Sequence, residues 1–229
     1  MRRLPLRQTA TGCIVIACLL AACLWFNHGR VGRQLDSYLS VPVYDNGLLF
    51  FRSHGRNYAP DGYYYGQKWQ CVEFVKRFYH QAKGHRMPDV WGHARDYFDP
   101  TLPEGAMNPR RGLAQFRNGS PSQPQPDDLL VFTDTKYGHV LIVTEVSESS
   151  LEVIQQNILG KPRQRFSLSV SNGVWRITAP RQPAGWLRVP DGHGGRGTSS
   201  RQFIEHIPGE VLLDFGVAGH RLDHSGARD

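Results

Sequence analysis

The sequence predicts an α+β fold in which a helix packs on an antiparallel sheet. Apolar residues recur with helical spacing at Cys71, Phe74, Val75 and Phe78, and several short apolar segments follow in the second half of the chain. A helix followed by a run of strands is typical of α+β domains, because a parallel sheet needs helices between its strands. The 24 glycines and 15 prolines indicate many turns, so we expect short strands with irregular connections.

The individual elements follow from the same patterns. The helix is predicted from Cys71 to about Ala82, and Gly84 ends it. A second short helix is expected over residues 90–98, and residues 117–128 are predicted to form a proline-rich surface loop. The strands are predicted at residues 129–133, 139–146, 151–155, 166–170, 175–178 and 185–189.

Composition divides the chain into four segments. At 229 residues it is long enough for one well-buried domain with additional segments. We predict an export or anchoring segment at residues 1–30, a spacer at 31–47 and the folded domain at 48–190. Residues 191–229 begin with DGHGGRGTSS, a composition typical of flexible linkers, and are predicted to form a flexible tail.

The net charge of +7 is concentrated at the N-terminus. Four of the 27 basic residues and none of the 20 acidic residues lie within residues 1–30, so the rest of the chain carries 23 basic against 20 acidic side chains. Such a balance is typical of a solvated mixed surface. No nucleic-acid partner is therefore expected.

Residues 9–26 are uncharged and follow three arginines, which is the order of an export signal. The stretch is short for a membrane span, which needs about 20 apolar residues. The sequence Leu-Ala-Ala-Cys ending at Cys23 resembles the lipobox of bacterial lipoproteins, whereas the apolar run continues to Phe26 as in an uncleaved anchor. We favour the anchor. Under both interpretations the positive-inside tendency places the chain beyond residue 30 on the periplasmic side of the inner membrane.

Cysteine usage narrows the chemistry. Cys13, Cys18 and Cys23 lie in the apolar segment, which leaves Cys71 alone in the predicted domain. A single cysteine forms no internal disulfide and offers no pair for a zinc site, so neither a metal nor another cofactor is expected. Cys71 is then either a core residue or a reactive thiol.

Four residues form a candidate hydrolytic site. A thiol attacks a carbonyl as the thiolate, which the positive end of a helix dipole and a nearby imidazole stabilise. Cys71 is predicted at a helix start, and His139 begins a buried strand directly after a turn. Gln155 and Asn157 stand two apart at the end of the next strand and are expected to face His139 together. Taken singly, each has a structural explanation, but their combination predicts cysteine-dependent amide hydrolysis.

A family resemblance supports this prediction. Residues 66–79 (GQKWQCVEFVKRFY) resemble the nucleophile segment of CHAP amidase domains, most of all the amidase half of bifunctional glutathionylspermidine synthetase/amidases. Further similar segments lie at residues 51–53, 116–121, 128–132, 138–140, 155–157 and 185–186. The resemblance implies a papain-like α+β fold with Cys71 as nucleophile, His139 as general base and Asn157 as a supporting residue.

Two positions depart from the family pattern. Gln155 stands where the family commonly has a glutamate, so the expected histidine partner carries no negative charge. Activity is expected to survive, with a pH profile different from that of Glu-bearing relatives. Lys76 and Arg77 stand where the family has two arginines, and the resemblance implies that they contact substrate. Trp69 and Gln70 precede the nucleophile and are candidates for substrate binding and for the oxyanion hole, together with the backbone N–H of Cys71.

The expected reaction is hydrolysis of an amide bond through an acyl-enzyme. The chain leaves no room for a synthetase domain, so we expect hydrolysis alone. The resemblance implies a glutathionylspermidine-like amide as substrate, whereas a location outside the inner membrane favours a peptidoglycan stem peptide. The alternative is a membrane-tethered binding module that has lost turnover, which the replacement of Glu by Gln155 permits.

Overall fold

The computed structural model describes residues 6–49 and 51–190, and the predicted flexible tail at residues 191–229 lies outside this part of the chain. Its helices are α1 (Leu6–Arg30), α2 (Cys71–Lys83) and a short 3-10 helix (Ala94–Tyr97). Its strands are β1 (Gln34–Tyr38), β2 (Val41–Tyr44), β3 (Arg56–Tyr58), β4 (Tyr64–Gln67), β5 (Met107–Asn108), β6 (Leu113–Arg117), β7 (Leu129–Phe132), β8 (His139–Val146), β9 (Ser150–Ile154), β10 (Arg163–Ser171), β11 (Val174–Thr178) and β12 (Gly185–Arg188).

Eight of these strands form one curled antiparallel sheet. Their order across the sheet is β11, β10, β9, β8, β7, β12, β6 and β5. The pairs β1–β2 and β3–β4 form two small hairpins beside it. The α+β class, with a helix packed on an antiparallel sheet, is confirmed.

The central strands are buried on both faces. Leu129 and Val131 of β7 pack toward α2, whereas Leu130 and Phe132 contribute to a second core on the opposite face. Successive side chains of a strand point to opposite faces, so two buried faces require an uninterrupted apolar sequence. This explains the continuous apolar run at 140–143 in β8, which carries no alternation.

Helix α2 packs its apolar face into the first of these cores. Cys71, Phe74, Val75 and Phe78 are all buried there, as their spacing predicts. Gly84 ends the helix with a φ of 61°, a left-handed conformation that glycine adopts without strain, and its N–H bonds to the carbonyl of Tyr79. The helix therefore begins at the predicted nucleophile and ends one residue beyond the predicted limit of the apolar pattern.

The expected spacer at residues 31–47 is part of the fold. Strands β1 and β2 form an antiparallel hairpin in this segment, and Val41 and Val43 are buried in the core that contains α2. Pro42 interrupts the alternation in the sequence, yet its carbonyl oxygen accepts a hydrogen bond of 2.8 Å from Arg77 Nη1. Tertiary contacts with α2 thus order a segment that composition alone does not mark as structured.

The second predicted helix is shorter than expected. The structure has only the 3-10 helix Ala94–Tyr97 within residues 90–98, and His93 and Asp96 form a capping box at its start. The residues before it run as an irregular segment whose carbonyl groups bind buried cations. Val90 O accepts a 2.9 Å hydrogen bond from Lys76 Nζ, and Asp89 O accepts one of 2.7 Å from Arg111 Nη1.

Helix α1 is long and apolar enough over Gly12–Arg30 to cross a membrane, and both a signal sequence and an anchor fit it. Its large apolar side chains are exposed, as is Cys23. Its C-terminal end contacts the domain, because Arg30 Nε lies 2.9 Å from Asp45 Oδ2. Asn27 Oδ1 also accepts a hydrogen bond from the N–H of Leu48.

A buried ion pair connects α2 to strands β2 and β3 and to the end of β9, through Pro42, Asn57 and Gln156. Glu73 and Arg77 are one helical turn apart, with Glu73 fully buried and Arg77 only 4% exposed, and Arg77 Nε lies 2.6 Å from Glu73 Oε1. Asn57 Nδ2 donates to Glu73 Oε1 at 2.8 Å, and Gln156 Nε2 donates to Glu73 Oε2 at 2.7 Å. Burial of a carboxylate is costly unless such donors surround it.

Gln156 carries this network to the end of strand β9. Its Nε2 also lies 3.1 Å from the carbonyl oxygen of Gln70, and its Oε1 accepts a hydrogen bond of 2.8 Å from the N–H of Tyr44. The residues on either side of Gln156 are Gln155 and Asn157. The ion pair therefore fixes the segment that carries two of the predicted site residues against the start of α2.

Replacement of Arg77 by methionine is expected to lower the free energy of unfolding by about 3–5 kcal/mol, because it leaves Glu73 charged and buried without its ion-pair partner. Urea unfolding followed by circular dichroism measures the change. The control is Arg165→Ala, which removes the exposed pair with Glu145 and is expected to unfold close to wild type.

The double variant Glu73→Met/Arg77→Met removes both charges and is expected to recover part of the lost stability. An Arg77→Met protein as stable as the Arg165→Ala control would show that the ion pair does not support the fold.

Candidate active site

A cleft of about 1210 Å³ opens beside the first turn of α2. Cys71, His139 and Gln155 line it together, so the structure brings the predicted nucleophile, base and histidine partner to one place. Tyr64 and Trp91 add an aromatic surface to its walls. The cleft is large enough to hold a peptide-sized ligand.

Cys71 is the first residue of α2, and its side chain is 8% exposed. The first amides of a helix have no intrahelical acceptor, and the dipole places partial positive charge at this end. Gln70 precedes it as the N-cap residue without using its side chain to cap the helix. That side chain lines the cleft.

His139 reaches Cys71 because a tight turn directs the start of β8 toward α2. Gly138 has a φ of 71°, and a Cβ at this position would come within 2.6 Å of the carbonyl oxygen of Phe132. The turn therefore requires glycine. The next residue on β8, Val140, packs in the same core as Cys71, which fixes the strand against the helix.

Cys71 and His139 perturb each other's pKa. Burial alone raises the pKa of the Cys71 thiol, but the charge of His139, its hydrogen bond and the backbone amides of Val140 and Val72 outweigh burial, so the net shift is downward. For His139, burial lowers the pKa, yet the charge and hydrogen bond of Cys71 and the hydrogen bond of Gln155 produce a net rise. Both shifts favour a thiolate–imidazolium pair.

Gln155 is the hydrogen-bond partner of His139. The imidazole Nε2 lies 2.9 Å from Gln155 Oε1, and Gln155 Nε2 donates to Gln164 Oε1 at 3.2 Å. The second bond leaves the carbonyl oxygen of the amide for the imidazole N–H. With Nε2 bound in this way, Nδ1 is the nitrogen that faces the sulfur.

Asn157 does not face His139 as expected. Strand β9 ends at Ile154, and Asn157 has a φ of 65°, so the alternation of a strand does not extend to it. Its Nδ2 donates instead to Gln70 Oε1 at 2.6 Å. Gln70 Nε2 donates to the carbonyl of Arg52 at 3.2 Å. Asn157 therefore positions Gln70 rather than the histidine.

The remaining predicted substrate contacts lie away from the cleft. Lys76 is fully buried, with its Nζ 4.8 Å from the ring centre of Tyr64, and burial lowers its pKa to about 7. Arg77 belongs to the buried ion pair with Glu73, and Trp69 packs on Tyr44 with ring centres 4.2 Å apart. None of the three lines the cavity, which corrects the expectation that they contact substrate.

Several cleft residues were not predicted from the sequence. Trp91, Tyr137 and Leu159 line the cavity with more than half of each side chain exposed. Exposed apolar side chains grouped around a cleft mark a binding surface. In the sequence Tyr137 and Leu159 stand between predicted strands and Trp91 in the predicted second helix, and nothing there distinguishes them from ordinary surface residues.

A cysteine at a helix start that faces a histidine from an antiparallel sheet, within an α+β fold, defines the papain-like class. Comparison with known families agrees. Residues 62–157 match the CHAP domain, the family whose nucleophile segment the sequence resembles. Cys71, His139, Gln155 and Asn157 all fall within the matched residues.

The chain is similar to parts of two longer proteins, a bifunctional glutathionylspermidine synthetase/amidase and a trypanothione synthetase. It is 36% identical over 225 residues to the bifunctional glutathionylspermidine synthetase/amidase of Escherichia coli (strain K12), an alignment that covers 90% of this chain and 34% of that protein. It is 27% identical over 164 residues to the trypanothione synthetase of Crithidia fasciculata, covering 66% of this chain and 25% of that protein. The chain thus spans about a third or less of each relative, and these similarities support amidase or peptidase activity in general.

Alkylation of Cys71 by iodoacetamide is expected to have its pH midpoint below about 8.5, the pKa of an ordinary cysteine, because the pKa of the Cys71 thiol is lowered. Peptide mass spectrometry separates Cys71 from the cysteines of α1. The variant His139→Ala removes the stabilising charge and is expected to move the midpoint of alkylation to higher pH. A wild-type midpoint near 8.5 would contradict the ion pair.

Proposed function

We propose that the protein is a cysteine amidase that hydrolyses amide bonds through an acyl-enzyme. The observation that carries this proposal is that Cys71, His139 and Gln155 line one open cleft together, with His139 Nε2 2.9 Å from Gln155 Oε1. The sulfur attacks the carbonyl as a thiolate, and His139 Nδ1 then gives its proton to the leaving amine. In the second step the neutral imidazole takes a proton from water, which attacks the thioester and releases the acid.

The negative oxygen of the tetrahedral intermediate needs donors beside Cys71. The backbone N–H of Cys71 lies in the first turn of α2 and has no intrahelical acceptor. Gln70, which precedes Cys71 and lines the cleft, supplies the second donor in this proposal. The hydrogen bond from Asn157 holds the amide in this orientation.

Two substrate classes fit the proposal. The similarity to the bifunctional glutathionylspermidine synthetase/amidase favours a glutathionylspermidine-like amide. The apolar helix α1, if it exports or anchors the domain on the periplasmic side, favours a stem peptide of peptidoglycan. Both are amides of peptides, and in both the sulfur of Cys71 attacks the carbonyl carbon of the scissile amide.

Purified protein offered glutathionylspermidine and muropeptides in parallel is expected to release a free amine from at least one of them. Cys71→Ala is expected to lower kcat by at least about 10³-fold, since it removes the nucleophile. Cys23→Ala, a cysteine of α1 outside the cleft, serves as the matched control and is expected to keep wild-type kcat. Full hydrolysis by Cys71→Ala would rule out the proposed mechanism, and absence of hydrolysis in wild type would favour a binding module.

The variant Gln155→Glu tests the neutral histidine partner. A carboxylate beside His139 favours the imidazolium and raises its pKa, so the alkaline limb of the kcat/KM profile, where the imidazolium loses its proton, is expected to move to higher pH. Gln155→Leu keeps the size of the side chain but gives the imidazole no acceptor, and a lower kcat is expected. Profiles of wild type and Gln155→Glu that superimpose would show that residue 155 does not act on His139.

A further inference from the structure

The cleft carries basic side chains without acidic ones. Lys161, Arg163 and Arg181 line it, and among the described residues around the cavity there is no Asp or Glu. A cleft lined by charge of one sign attracts ligands of the opposite sign. A cation that already forms ion pairs within the protein contributes less of this attraction than an unpaired one.

Two of these cations are already neutralised within the protein. Arg163 Nε lies 2.9 Å from Asp36 Oδ2, and its Nη1 lies 2.8 Å from Glu152 Oε1. Arg181 forms a two-pronged pair with Asp134, with its Nε 2.7 Å from Oδ2. Lys161 has neither an ion pair nor a hydrogen bond to any residue in the described part of the chain, so it is the cation left for a ligand.

The backbone of Lys161 is fixed close to the catalytic pair. The N–H of Gln155 bonds to the carbonyl of Pro162 at 3.0 Å, and Ile154 of β9 is paired with Arg163 of β10. These bonds close the loop between the two strands directly around Lys161. The backbone of Gln155, whose side chain bonds to His139, therefore also fixes the chain next to Lys161.

We propose that Lys161 binds a carboxylate of the substrate and makes the enzyme selective for amides of acidic peptides. This proposal rests on the amidase function proposed above. The chemistry required is a free carboxylate on the acyl part of the substrate, within the same cleft as the scissile amide. A γ-linked glutamyl residue has one, and it occurs both in glutathione-type acyl groups and in stem peptides of peptidoglycan. A polyamine has only positive charges and does not complement Lys161.

The test compares substrates that differ only in this carboxylate. One pair is γ-glutamyl-cysteinyl-glycine anilide and its analogue with the glutamyl carboxylate converted to a carboxamide. The other pair is a stem tetrapeptide with isoglutamate and the same peptide with isoglutamine. Wild type is expected to cleave the carboxylate form of at least one pair with about fivefold higher kcat/KM, mainly through KM, since a partly exposed ion pair contributes to this extent.

Variants of Lys161 identify the group responsible. Lys161→Ala is expected to abolish the preference, Lys161→Arg to keep it and Lys161→Glu to reverse it. Lys136→Ala removes an exposed lysine that does not line the cleft and is expected to keep the wild-type preference. Unchanged alkylation of Cys71 by neutral iodoacetamide in Lys161→Ala shows that the catalytic pair is intact. The preference of wild type is expected to shrink as salt is raised.

The outcomes separate the two proposals. Equal cleavage of both members of every pair by wild type, or a preference that survives in Lys161→Ala, would overturn the role of Lys161 and leave the amidase intact. Cleavage of no substrate by wild type would overturn the amidase function and the selectivity with it. The pair that shows the preference identifies whether the carboxylate belongs to a glutathione-type group or to a stem peptide.

Discussion

The buried pair of Glu73 and Arg77 is the interaction on which the site depends. It lies in the first two turns of α2, and Gln156 binds the same carboxylate from the end of β9. Because Gln156 stands between Gln155 and Asn157, one ionic cluster sets the distance between the nucleophile helix and the residues that orient His139 and Gln70. A buried ion pair contributes little net stability compared with apolar residues of equal volume, but its geometry is specific. In this protein the geometry of the ion pair fixes how the catalytic groups are aligned.

The parts of the fold that local pattern determines were predictable. The helical spacing from Cys71 identifies the buried face of α2, and the continuous apolar run identifies β8 as a buried strand. The start of α2 and the bounds of β8 therefore agree with prediction. The location of His139 opposite Cys71 also followed, because the turn at Gly138 leaves little freedom for the strand that begins after it.

The errors arose where tertiary contacts override local pattern. Charged residues on a helix are expected at the surface. Here the carbonyl of Val90 binds Lys76 in the interior, and Arg77 is bound by Glu73 and by the carbonyl of Pro42. Asn157 was assigned by extending the alternation of β9 beyond its last residue, Ile154. Residues 31–47 were predicted to be a spacer, because the burial of the β1–β2 hairpin depends on contacts with α2, which begins some thirty residues later.

The neutral side chain at Gln155 has a consequence for the course of the proposed reaction. In the resting enzyme the negative sulfur is what keeps the imidazole protonated, against the effect of burial. Once the sulfur is part of a thioester that anion is gone, and the hydrogen bond to the neutral amide of Gln155 supplies no negative charge in its place. His139 then sheds its proton readily and is in the right form to activate water. The group that switches the base between the two halves of the cycle is therefore the nucleophile itself.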